Sequence, residues 1–208
     1  MPISIPGRVV VLDYGQVISL PPSEADRAAL VAAAGVDAEA LRRAYPVQRR
    51  DLDRGTLSTT DYWAGIGRAC GAEWDLARCQ ELWRLDIRGW TSANADVVAL
   101  IGELAAGGSR LALLSNAGPD YGGLFRFSPI GALFEQVFVS GELLLLKPEA
   151  AIYEHVADAL GIPLDRMVFV DDRDDNVAGA EALGVRGHVF RDAARLRTFL
   201  TDLAKETA

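Results

Sequence analysis

Four short segments, far apart in the chain, each place a polar residue directly after an apolar run. VVVL at 9–12 is followed by Asp13, LALL at 111–114 by Ser115 and Asn116, the leucines at 143–146 by Lys147 and Pro148, and MVFV at 167–170 by Asp171 and Asp172. Short apolar runs ending in such groups read as buried parallel strands. In an open α/β sheet the carboxyl ends of the strands form the ligand crevice. A carboxylate able to act as a nucleophile, a hydroxyl donor, an ammonium and an acidic pair therefore converge on one point, a set suited to phosphoryl transfer. Singly, each has an ordinary structural reading. Asp13 could form a turn, Ser115 precedes the turn formers Asn116, Gly118 and Pro119, and Lys147 could be a surface charge opening a helix with Pro148 in its first turn.

The elements that must position these groups are legible in the same way. Strands are expected near 8–13, 110–115, 136–140, 167–171 and 186–190, and helices near 95–107, 149–161, 175–184 and 192–204. Such alternation gives an α/β fold with a doubly wound parallel sheet and right-handed crossovers. Residues 20–90 show no convincing strand. Ser23 with Asp26 begins a helix that Gly35 ends, and a second helical stretch after Asp37 is broken or kinked at Pro46. Ser58 with Asp61 starts a third, and a fourth is expected over 75–88. The predicted organisation is a core of residues 1–19 and 91–208 with a small all-helical insert at 20–90.

The chain has 208 residues, half of them apolar, and a formal net charge of −8. That length accommodates one core domain and a small insert. The acidic balance argues against nucleic acid or an anionic membrane as a partner, although a bound cation and local donors can still hold a small phosphate. No apolar stretch is long enough to span a bilayer, and the N-terminal residues carry no signal-peptide pattern, so a cytoplasmic location is expected. Cys70 and Cys79 are too few for a disulfide framework and read as small apolar packing groups. His155 and His188 fall outside the four segments and read as structural. The oligomeric state is left open.

The order Asp13, Ser115-Asn116, Lys147-Pro148, Asp171-Asp172 resembles the haloacid dehalogenase (HAD) superfamily, most of whose members are phosphatases. With the helical insert, the resemblance covers nearly the whole chain. It implies that Asp13 is a nucleophile forming an aspartyl-phosphate, and that Ser115, Asn116 and Lys147 hold the transferring phosphoryl group. Lys147 would also keep Asp13 ionised. It implies Mg²⁺ as cofactor, with Asp172 a direct ligand, Asp171 acting directly or through water, and Asp13 and the backbone carbonyl of Gly15 completing the protein's share. Asp175 and Asn176 would support the metal's surroundings or cap the next helix. The insert would be a cap closing over a small phosphorylated metabolite.

One departure stands out. Phosphatases of this type usually carry a second Asp two residues after the nucleophile as general acid and base, and this chain has Gly15 there. A missing acid–base group typically costs on the order of 10²–10⁴-fold in rate. Three readings follow. The first is a phosphatase in which water or another side chain moves the proton, because DYGQVI and DRGTLSTTDYW resemble sugar-1-phosphate-cleaving members. The second is a fold relative that binds without turning over, and the third a 2-haloacid dehalogenase. Dehalogenases typically lack the acidic pair and place Tyr two residues after the nucleophile, whereas Tyr14 is one residue after. Trp63, Trp74, Trp83 and Trp90 read as the insert's core, with one of them a candidate for the cleft. Arg42, Arg43, Arg49, Arg50 and Arg54 read as a solvated face paired with Asp51 and Asp53. The leucines at 143–146 read as buried, with an exposed contact patch as the alternative.

Overall fold

The computed structural model describes residues 2–207. The first strand, β1 (Val9–Leu12), enters a tight turn over Tyr14–Ile18 and then a run of five helices. These are α1 (Glu24–Ala34), α2 (Ala38–Ala44), α3 (Arg49–Arg54), α4 (Thr59–Ala69) and α5 (Leu76–Trp90). The rest of the chain alternates strands and helices: α6 (Ala95–Ala106), β2 (Arg110–Ser115), α7 (Tyr121–Arg126), β3 (Gln136–Val139), α8 (Ser140–Leu143) and α9 (Ala150–Leu160). It ends with β4 (Met167–Asp171), α10 (Asp174–Glu181), β5 (Arg186–Val189) and α11 (Ala193–Thr207).

All strand pairings are parallel, in the order β3-β2-β1-β4-β5, so β1 lies at the centre and pairs with β2 and β4 on either side. The side chains of β1 are fully buried, as two helical layers require. Their alternation decides which layer each meets. Val10 and Leu12 join Leu111, Leu113, Val168 and Val170 against α6 and α11, with Leu100, Leu104, Leu196 and Leu200 as the partners. Val9 and Val11 face the other way, with Ala112, Leu114 and Phe169 against Ile152, Tyr153 and Val156 of α9.

The helices between β1 and α6 pack on a cluster of their own, built on Leu41, Leu52, Tyr62, Trp63, Ile66 and Leu82. Ser23 caps α1 through a reciprocal bond with Asp26, and Ser58 caps α4 by accepting from the Asp61 amide. Where four helices were expected there are five. The stretch after Asp37 is two helices, because the chain turns at 45–48 around Pro46. The two crossings into and out of this insert run side by side, with an antiparallel bridge between Ser19 and Ala93. Leu20 N–H donates to Ser92 O and Asn94 N–H to Ile18 O, which closes the neck.

The leucine run is mostly covered. Leu146 is buried and Leu143 and Leu145 pack on the α9 face, while Leu144 is exposed with a φ of 60°. Both cysteines are free thiols, Cys79 buried in α5 and Cys70 at the end of α4. Among the described residues no helix is long and apolar enough to cross a membrane.

Candidate active site

Parallel pairing brings the ends of β1, β2 and β4 level, and the predicted residues meet there. Asp13 follows β1 directly, its N–H donating to Val170 O of β4. Ser115 is the last residue of β2 and Asp171 the last of β4. Lys147 arrives from the segment after α8. Its backbone is gripped by Asn116, whose side chain accepts from Lys147 N–H and donates to Lys147 O, both at 3.0 Å.

The ammonium of Lys147 uses all three of its donors. Nζ lies 2.8 Å from Asp13 Oδ1, 2.6 Å from Asp171 Oδ2 and 2.9 Å from Leu114 O. Its side chain is 1 % exposed and that of Asp171 0 %. Such a buried ion pair holds only when geometry and hydrogen bonding are complete, as they are between Lys147 and Asp171. Asp171 is saturated: besides Lys147 it accepts from Asn176 Nδ2 and from the Arg173 backbone N–H. Asn176 thus joins the site by fixing Asp171, while Asp175 pairs outward with Arg173.

Asp13 is divided differently. Oδ1 faces Lys147, whereas Oδ2 accepts no hydrogen bond from the described residues and lies on the Gly15 side, 3.9 Å from where a Gly15 Cβ would sit. Burial pushes the Asp13 carboxyl up to about 7; Lys147 pulls it down, and Asp171 and Asp172 push it further up. Burial works against the Lys147 ammonium, but Asp13 and Asp171 outweigh it, so its pKa is raised and it stays charged. Burial also raises the half-buried Asp172, helped by Asp171.

Carboxylate oxygens of Asp13, Asp171 and Asp172 lie within 4.8 Å of one another. With Asp171 occupied by Lys147 and Asn176, the oxygens left for an ion are Asp13 Oδ2 and those of Asp172, of which Oδ2 also accepts from Gln16. An all-oxygen set of two carboxylates fits a hard cation that keeps several waters, as Mg²⁺ does.

The surrounding cavity holds about 310 Å³. The core contributes Asp13, Gly15, Ser115, Asn116, Lys147 and Asp172 to it, and the helical insert contributes Arg50, Asp53 and Trp90. Gln16 lines it too, and was not anticipated. It adopts a φ of 58°, uncommon for a residue other than glycine, and its side chain donates to Asp172 Oδ2 at 3.2 Å. Nothing in its sequence neighbourhood signals that conformation. Asp53 had read as part of a solvated face, but it is largely buried against Arg49 and lines the cavity. Burial raises its carboxyl although Arg49 pulls the other way.

The remaining arginines divide by position. Arg42 and Arg43 pair with Glu39 on the surface, while Arg50 and Arg54 reach Glu149 of the core rather than Asp51. Trp63 is the buried centre of the insert, and Trp90 is the tryptophan at the cavity. Tyr14 turns away to pack on Phe125, at 4.2 Å between ring centroids. Both histidines lie outside the cavity: His155 packs on Phe138 and His188 stacks on Phe199.

The sequence pattern of the haloacid dehalogenase-like hydrolases matches residues 19–184. The chain belongs to that family. Among curated relatives of this HAD-like hydrolase, the drimenol cyclase drtB of Aspergillus calidoustus is 29% identical over 156 residues, 74% of this chain and 29% of that protein. The sesquiterpene phosphatase astK of Aspergillus oryzae is 30% identical over 101 residues, 48% of this chain and 52% of that protein. The chain therefore matches from under a third to about half the length of these two. Among solved structures, a HAD family enzyme from Bacteroides thetaiotaomicron in a magnesium complex superimposes with a TM-score of 0.74 at 18% identity, covering 91% of this chain and 98% of that one. The same enzyme has been solved with magnesium and inorganic phosphate, with a TM-score of 0.68 at 17% identity and the same coverage. Likeness at that identity establishes the fold.

Proposed function

We propose that this HAD-like hydrolase is a Mg²⁺-dependent phosphatase acting on a small phosphomonoester. The observation that carries the reading is the division of Asp13. One oxygen is held by a buried lysine, and the other is left facing a cavity beside Asp172 and Ser115. A carboxylate oxygen of Asp13 attacks phosphorus, the bond to the leaving-group oxygen breaks, and an aspartyl-phosphate forms. Water then attacks that phosphorus, releasing inorganic phosphate and restoring Asp13. Lys147 offsets the charge on Asp13, and the Ser115 hydroxyl with the Asn116 backbone donates to the phosphoryl oxygens. Asn116 serves chiefly by fixing Lys147, since both ends of its amide are engaged there. Asp13 and Asp172, with the Gly15 carbonyl, would hold the ion, which supplies positive charge that keeps Asp13 ionised and neutralises the phosphate.

Residues 20–90 act as the cap in this reading, presenting Arg50, Asp53 and Trp90 to the leaving group. With Gly15 in place of an acid, the leaving oxygen takes its proton from water or from another lining group. The relative named a sesquiterpene phosphatase and the magnesium- and phosphate-bound neighbour support the same chemistry. The test is hydrolysis of p-nitrophenyl phosphate with and without Mg²⁺, since that leaving group departs without an acid. Mg²⁺-dependent turnover that Asp13→Asn abolishes is the expected result. No turnover by the folded, Mg²⁺-loaded protein would overturn the proposal in favour of a binding role.

A further inference from the structure

A second cavity, of about 520 Å³, opens between α1, α2 and α5. Its walls are mainly apolar, with Pro22, Leu30, Val31, Leu41, Leu85 and Trp90 among them. Three of its four charged groups are engaged by protein partners, and the fourth, Arg27, is an exposed side chain of α1. Asp26 accepts from Ser23 and Arg88, Arg42 donates to Glu39, and Asp86 accepts from Tyr45. A sugar or another polyhydroxylated group seated against those apolar walls would lose more water than the few open donors, such as Arg27, could replace. An aliphatic chain would lose nothing and bury its surface.

Two residues line both cavities, Gln16 and Trp90. Gln16 sits three residues after Asp13 and bonds Asp172, so the apolar cavity begins where the phosphoryl site ends. We propose that this groove seats the leaving group, and that the preferred substrates are phosphomonoesters of long aliphatic alcohols. The proposal rests on the phosphatase reading for its chemistry, but on the groove alone for its ligand. Binding energy gained along a remote apolar tail can also lower the barrier at the reacting centre, which matters in a site with Gly15 where an acid is usual.

The test measures two things on the full chain with Mg²⁺: hydrolysis of n-alkyl phosphates from ethyl to dodecyl, and calorimetric binding of the matching n-alkyl phosphonates, which cannot be hydrolysed. Each methylene that enters the groove should raise kcat/KM and phosphonate affinity roughly fourfold until the groove is full. Ala38, exposed at the start of α2, lines the groove. Ala38→Trp should narrow it and cut the dodecyl-to-ethyl ratio at least about tenfold. If p-nitrophenyl phosphate is hydrolysed but chain length changes neither rate nor affinity, the groove proposal is wrong and the phosphatase reading stands. If phosphonate affinity climbs with length and Ala38→Trp suppresses the climb, yet nothing is hydrolysed, the groove stands and the phosphatase reading falls. A chain-length preference that Ala38→Trp leaves intact would place the chain elsewhere and overturn the assignment.

Discussion

At Asp13, burial and the neighbouring ammonium pull in opposite directions, and burial wins: the carboxyl is raised to about 7 from 3.8. A carboxyl raised on folding keeps a proton that the unfolded chain has released, so its contribution to stability is full below about pH 4 and is lost as pH rises to about 7. In chelator, Asp13→Asn should therefore gain stability relative to the parent as pH climbs through that window, with a constant difference above it. Denaturant titrations at several pH values measure this, and a difference that never changes would show Asp13 ionised throughout. Gly15 offers a second test. A Cβ there meets only Asp13 Oδ2, at 3.9 Å, and no left-handed φ is needed, so Gly15→Asp can be accommodated. It should raise kcat on alkyl phosphates by roughly 10²–10⁴-fold while changing p-nitrophenyl phosphate far less. An equal response with both leaving groups would mean that proton supply is not what limits the parent.

Among the elements, α3 ties the insert to the core. Ser140 of α8 donates to Asp53 O and accepts from Ala117 N–H, while Arg50 and Arg54 grip Glu149 ahead of α9. Gly55 ends α3 with a φ of 79°, and a Cβ on it would lie 2.1 Å from Gly141 O. Gly55→Ala thus combines backbone strain with a main-chain collision and should cost more than about 1 kcal/mol. Urea unfolding reads that cost, and parent-like stability would show that α3 can lift from α8 freely. The same helix shows where local reading ran out. Its arginines looked like one solvated face, but the fold sends Arg49 inward to Asp53 and Asp86, and Arg50 and Arg54 across to Glu149. Helix α7 had no legible signal either, because YGGLFR is short and glycine-rich and is held by burial of Tyr121 and Phe125.

Across the whole molecule, a net charge of −8 and an acidic cluster at the carboxyl ends of β1 and β4 would make the folded state a better cation binder than the open chain in the proposed reading. Mg²⁺ should therefore raise the melting temperature in a concentration-dependent way, by about 2.7 kcal/mol of stability at a hundred times Kd. Asp172→Asn should remove most of that increment and, by relieving repulsion with Asp171, leave the metal-free protein no less stable. Scanning calorimetry with and without Mg²⁺ decides it. An unchanged increment in the variant would place the ion elsewhere.

The amino-acid sequence determined the parallel sheet, the level of its strand ends and the chemistry gathered there. Strand periodicity and chain reversal are local, and the apolar runs at 9–12, 111–114 and 167–170 carry them within a few residues. Its resemblance to the family also marked Gly15 as standing where an acid is usual. Tertiary structure alone decided how that chemistry is shared. Lys147 and Asn176 take both oxygens of Asp171, leaving Asp172 Oδ1 and Asp13 Oδ2 without a side-chain donor among the described residues. The insert delivers Asp53 and Trp90 to the cavity, and α1, α2 and α5 part to leave an apolar groove beside it. Which helix faces meet depends on contacts between residues far apart in the chain, and no local pattern encodes the space left between them.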